Sequence, residues 1–119
     1  MSYDKLEKII NENFEIKEKI GPKSDKRLIK SIHETIDLVD KGKIRVANKK
    51  NGKWEVNQWI KKAILLSFRI NKMEMLKGPY TSWYDKVPGK TVKWKETDWK
   101  KAGYRHVPNG VVRKGSFIA

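Results

Sequence analysis

Residue types that do chemistry are few in this 119-residue chain and widely separated. There is no cysteine, so a thiolate nucleophile, a thiolate metal site and a disulfide are all unavailable. The two histidines, His33 and His106, are far apart in sequence and fit no metal-ligand spacing. His33 falls among Lys30, Glu34 and Asp37 and reads as a surface residue. Asp85 and Lys86 are adjacent opposite charges, which a site could use but which read first as a structural ion pair. Gly42, Gly52, Gly78 and Gly89 are scattered turn residues and make no phosphate-cradling loop. Arg105, next to His106, is on its own an ordinary surface arginine. These residues therefore supply no catalytic constellation, and no metal or cofactor-binding residue is expected among them.

The net charge of +14 raises a nucleic-acid role, because lysine and arginine bind phosphates without regard to sequence. The composition argues against it. Of the 28 basic residues 23 are Lys and 5 are Arg, whereas recognition of phosphates and base edges favours the planar arginine fork. The lysines are also spread along the chain among Glu and Asp, so a solvated Lys-rich surface is the expected reading. A small basic module that docks nucleic acid or another acidic partner, without catalysis, is the alternative. The N-terminus runs directly into charged residues with no apolar signal-peptide core, and a soluble cytoplasmic protein with no membrane partner is expected.

The elements that must carry any site are organised around Gln58–Ile70, the one run apolar on nearly every side of a helical projection. Ile60, Ile64 and Phe68 share a stripe, flanked by Ala63 and Leu66, and Asn57 is placed to cap the helix through its side-chain oxygen. At about 20 Å it is too short to span a bilayer, so it is expected in the core. Before it, Leu6, Ile9, Ile10 and Phe14 have helical spacing, with Asp4 and Glu7 at the start and Gly21-Pro22 beyond the end. Leu28, Ile29, Ile32, Ile36 and Val39 predict a second helix, capped by Ser24 or Asp25 and stopped at Lys41-Gly42. Asn51-Gly52 between two β-rich segments predicts a hairpin near 43–56. Asn71–Lys77 is expected to extend the central helix as far as Gly78-Pro79. Residues 80–91 read as an ordered loop with Trp83 and Tyr84 as packing anchors, and a short helix follows over 96–101. Trp94 and Trp99 are expected in a core, not as a base-stacking platform.

The last residues follow a different rule. Val112 and Ile118 are six apart, with small Gly115 and Ser116 between them, which is the spacing of a hexapeptide-repeat β-solenoid. One hexapeptide cannot bury its own apolar face, so the chain reads as cut at that point. The 58–71 run, Tyr84-Asp85-Lys86-Val87-Pro88, Gly103–Pro108 and Val112–Ala119 together resemble, in order and spacing, the N-terminal part of tetrahydrodipicolinate N-succinyltransferases.

That resemblance implies a mainly α, small helical N-terminal domain with one β-hairpin over residues 1–104, then the start of a left-handed β-helix over 105–119, the rest of which is absent. It implies an acyltransferase of lysine and diaminopimelate biosynthesis. Succinyl passes from the co-substrate succinyl-CoA to the amino group of acyclic tetrahydrodipicolinate, a dicarboxylate, in a cytoplasmic homotrimer. Of the family's substrate-binding positions one carries over, Arg105, whose guanidinium can hold a carboxylate by two parallel hydrogen bonds. No catalytic residue carries over, since the acidic site residue and most of the coenzyme A pocket lie beyond Ala119, and the chain alone is expected to be inactive.

Overall fold

The computed structural model describes residues 2–119. Three helices form the core: α1 (Asp4–Phe14), α2 (Lys26–Asp40) and α3 (Gln58–Ile70). Their apolar stripes meet at Ile10, Leu28, Ile32, Ala63, Leu66 and Ile70, with Phe14, Ile29 and Trp59 packed around them. α2 begins where Asp25 accepts the orphan N–H groups of Arg27 (2.8 Å) and Leu28 (3.3 Å). Its buried hydroxyls are satisfied one turn back, Ser31 Oγ on the Arg27 carbonyl and Thr35 Oγ1 on the Ser31 carbonyl. α1 starts at Asp4, as its acidic residues indicated. Tyr3 is its N-cap with no side-chain bond, and Asp4 and Glu7 sit in the first turn, where negative charge suits the helix dipole.

α3 has the expected bounds but a different buried face. Ile60, Ala63, Leu66 and Ile70 are covered by α1 and α2, whereas Ile64 and Phe68 are half-buried and Leu65 is 51% exposed. Two neighbouring helices cover only one side of a third. Asn57 does not cap through its oxygen. Its Nδ2 donates to the Arg45 carbonyl and to Asn48 Oδ1 (2.8 Å), tying the helix start to the preceding hairpin.

That hairpin pairs β1 (Ala47–Lys50) with β2 (Lys53–Val56) around Asn51-Gly52, both at positive φ (50° and 77°), as a two-residue primed turn requires. The strand expected from Lys43 starts only at Ala47. A second hairpin replaces the expected helix extension and loop. α3 stops at Ile70 with Asn71 in extended backbone, and β3 (Glu74–Lys77) pairs antiparallel with β4 (Ser82–Asp85). The aromatic, turn-flanked run after Gly78-Pro79 suits a strand better than a loop. Gly78 closes the turn against the Trp83 ring, which a Cβ there would approach to 2.6 Å. Trp83 and Tyr84 are not packing anchors, being 42% and 71% exposed.

α4 (Glu96–Ala102) begins with Asp98 Oδ2 accepting the Lys95 N–H and ends at Gly103 in the left-handed conformation (φ 74°). The chain after it returns to the helices. Gly89 and Arg113 form an antiparallel bridge, flanked by Lys90 N–H to the Val112 carbonyl and Lys114 N–H to the Pro88 carbonyl, both 2.8 Å. The architecture is a mainly α domain with two small hairpins. No helix among the described residues is long and apolar enough to cross a membrane.

Candidate functional site

Arg105 emerges from the end of α4. Gly103 reverses the chain there, and the next three residues alternate half-buried, exposed, half-buried. Tyr104 and His106 turn inward and Arg105 turns out. The inward rings join an aromatic cluster with Trp94 and Trp99, which are half-buried and lie outside the helical core where they were expected. Trp94 and Trp99 meet edge to face at 4.9 Å, Trp99 meets Tyr104 at 5.5 Å, and Trp99 meets the His106 imidazole at 5.7 Å. Gly110 also lies against His106, where a Cβ would come within 2.8 Å of the imidazole and 2.9 Å of the Val107 carbonyl oxygen.

The Arg105 guanidinium has no ion pair or hydrogen bond among the described residues. It lines a shallow cavity of about 380 Å³ together with Trp99, Tyr104, Gly103, Glu96 and Lys100. The arrangement is one free planar cation on an aromatic wall, with Lys100 engaged by Glu96 at 3.0 Å. Such a site can bind a carboxylate. The one carboxylate in its lining, Glu96, is paired with Lys100, and His106, enclosed among rings, is not presented to the cavity.

A second cleft, about 780 Å³, lies between α2, α3 and the 113–116 segment. Its floor is Ile36, Val39, Ile64 and Phe68, and His33, beside Asn71, stands at its rim. Three of the cations around it are engaged: Lys86 Nζ donates to the Phe68 carbonyl (2.8 Å), Arg113 pairs with Asp85 (2.9 Å) and Lys114 with Asp37 (2.7 Å). Asp85 and Lys86 are thus not paired with each other through their side chains. Lys86 reaches the carbonyl end of α3, where the helix dipole favours a cation, which leaves Asp85 to Arg113. The Lys86 backbone N–H on Asp85 Oδ1 (2.7 Å), and then the Arg113 charge, hold the Asp85 carboxyl below its usual range. The two histidines line no common cavity, and no group of acidic or histidine side chains that could hold a metal ion occurs among the described residues.

One constellation had no sequence signal. Asp40, at the end of α2, receives the Lys90 ammonium (2.9 Å) and the Gly115 N–H (2.8 Å) on Oδ1, while Lys90 also donates to the Asp40 carbonyl (2.8 Å). Nearby, the Phe117 ring covers Gly42 and lies under the Arg45 guanidinium at 4.9 Å. This latch fixes the segment that follows Arg105 onto the helical core.

Comparison with known proteins gives a consistent result. The family described as tetrahydrodipicolinate N-succinyltransferase N-terminal matches residues 5–70. A 2,3,4,5-tetrahydropyridine-2,6-dicarboxylate N-succinyltransferase of Pelagibacter ubique is 55% identical over 116 residues, covering 95% of this chain and 42% of the relative. Proteins of the same name from Bartonella henselae and Cereibacter sphaeroides are 45% and 46% identical, covering 96% and 100% of this chain and 42% and 44% of their own lengths. The chain spans less than half the length of these relatives.

Proposed function

Since the chain belongs to the tetrahydrodipicolinate N-succinyltransferase family, we propose that it forms the N-terminal part of an enzyme that transfers succinyl from succinyl-CoA to the amino group of acyclic tetrahydrodipicolinate. Residues 1–104 are the helical domain and 105–119 lead into the β-helix, where further residues complete both substrate sites. The full-length protein works in the cytoplasm as a homotrimer, in lysine and diaminopimelate biosynthesis. Arg105 binds a carboxylate of the amino substrate. The observation that carries this role is its exposed, unpartnered guanidinium on an aromatic-walled cavity, ready to meet a planar anion.

The test uses a full-length enzyme in which this chain supplies the N-terminal segment. Losing one partner of a dehydrated charged pair costs about 2–5 kcal/mol. Arg105→Ala is therefore expected to lower kcat/KM for tetrahydrodipicolinate by roughly 30- to 4000-fold, with KM for succinyl-CoA nearly unchanged. Arg105→Lys keeps the charge but loses the fork and recovers part of the loss. A folded Arg105→Ala enzyme with unchanged efficiency toward the amino substrate removes Arg105 from the site.

A further inference from the structure

We propose that Trp99 is the positioning residue for Arg105, setting the direction of the guanidinium through the two rings that flank it in sequence. The inference rests on the substrate role of Arg105. Nothing holds the Arg105 side chain directly, since it has neither an ion pair nor a hydrogen bond among the described residues. Its aim is therefore inherited from the backbone between Tyr104 and His106, and both of those side chains lie on the Trp99 indole. Trp94 backs the same indole at 4.9 Å, so Trp99 is the hub through which the cluster connects to α4.

The inward rings are held by packing and not by directional bonds. Tyr104 Oη and His106 Nε2 are both enclosed, and neither has a hydrogen-bond partner among the described residues. Ring contacts of this kind resist sliding only while the hub fills its space. The Trp99 indole also lines the cavity beside Arg105, so it supplies both the floor under the neighbours and one wall of the site. Removing it takes away the one ring that residues 104 and 106 share, leaving Tyr104 only its longer contact with Trp94 at 6.1 Å. A shift of about 1 Å in a substrate-holding group can cost about 100-fold in rate.

The experiment is a double-mutant comparison in the full-length enzyme, with steady-state kinetics for both substrates and a melting curve for each variant. Trp99→Leu is expected to lower kcat/KM for tetrahydrodipicolinate by about 10- to 100-fold, by the misplacement argument above. KM for succinyl-CoA is expected to stay within about twofold, and Trp99→Phe to recover most of the loss, because a ring at the hub still carries both neighbours. In an Arg105→Ala background the same Trp99→Leu change is expected to add less than about twofold, because its effect runs through the missing guanidinium. If Trp99→Leu does not fold, Trp99→Phe and Gly110→Ala enter the same comparison. The latter presses on His106 and on the Val107 carbonyl beside it, and both are expected to lose several-fold with Arg105 present and less than about twofold without it. A normal Trp99→Leu enzyme beside an impaired Arg105→Ala enzyme overturns the positioning role and leaves the substrate role standing. An equal loss with and without Arg105 also overturns it, marking the indole as a structural residue. An unimpaired Arg105→Ala enzyme sinks the substrate role itself, and the positioning role with it.

Discussion

Removing the Asp40 carboxylate tests whether the returning segment is held by an enclosed charge or merely rests on the surface. The side chains of Lys90 and Asp40 are 10% and 15% exposed, with 2.9 Å between Nζ and Oδ1. Surface pairs contribute about 0.2–1 kcal/mol, whereas breaking an enclosed pair from one side costs about 3–5 kcal/mol. Lys90 would keep the Asp40 backbone carbonyl at 2.8 Å, which places the loss near the lower figure, about 3 kcal/mol. The Gly115 N–H would lose its acceptor, adding about 1 kcal/mol. For a domain of this size the unfolding entropy is about 0.25 kcal/mol/K, so Asp40→Ala is expected to lower Tm by about 16 °C. Asp40→Asn retains an acceptor for Gly115 and should lose roughly half as much. Adding Lys90→Met to Asp40→Ala should restore part of the stability, because no unpaired cation is then enclosed. Thermal and urea unfolding of the four proteins measure this. An Asp40→Ala variant within about 1 kcal/mol of the parent would show the pair to be solvated and the reasoning wrong.

Acid unfolding should report Asp85. Its pKa is lower in the folded chain than the ordinary 3.8, so its stabilisation is full above that value and fades as pH falls through the depressed one. Stability measured between pH 2 and 6 should thus fall less steeply on the acid side for Asp85→Asn than for the parent, and identical slopes would contradict it. Gly42→Ala and Gly52→Ala place the same methyl on left-handed backbone (φ 69° and 77°), but only the first meets a ring, Phe117, at 2.6 Å. Both should lose about 1–2 kcal/mol by denaturant titration from backbone strain, with a further loss at Gly42 that disappears in a Phe117→Ala background. Equal losses at the two glycines would mean that Phe117 does not cover Gly42.

Local order was legible in the residues themselves. The 3.6-residue recurrence from Leu28 to Val39, the apolar run Gln58–Ile70 and the Asn51-Gly52 turn each encode an element within one short window, and each appears in the structure. Family membership was legible for the same reason, being carried by contiguous runs of residues. What failed was local choice without a strong local signal. The weak pattern at Asn71–Lys77 read as a continuation of the helix, and pairing of Glu74–Lys77 with Ser82–Asp85 makes it a strand instead. Which face of α3 is buried depended on where α1 and α2 lie, and left Leu65 in solvent although its residue type argued otherwise. The partners of Asp85 and Asp40 were out of reach of any window. Arg113 is 28 residues from Asp85, and Gly115 is 75 from Asp40. Side-chain electrostatics acts over a few ångströms in space, and only the folded path of the chain sets which charges come that close. Arg105 joins the two cases: the motif around it proposed it as a site residue, whereas its lack of an ion pair or hydrogen bond among the described residues, beside the packed rings, exists only in the fold that brings Trp99, Tyr104 and His106 together.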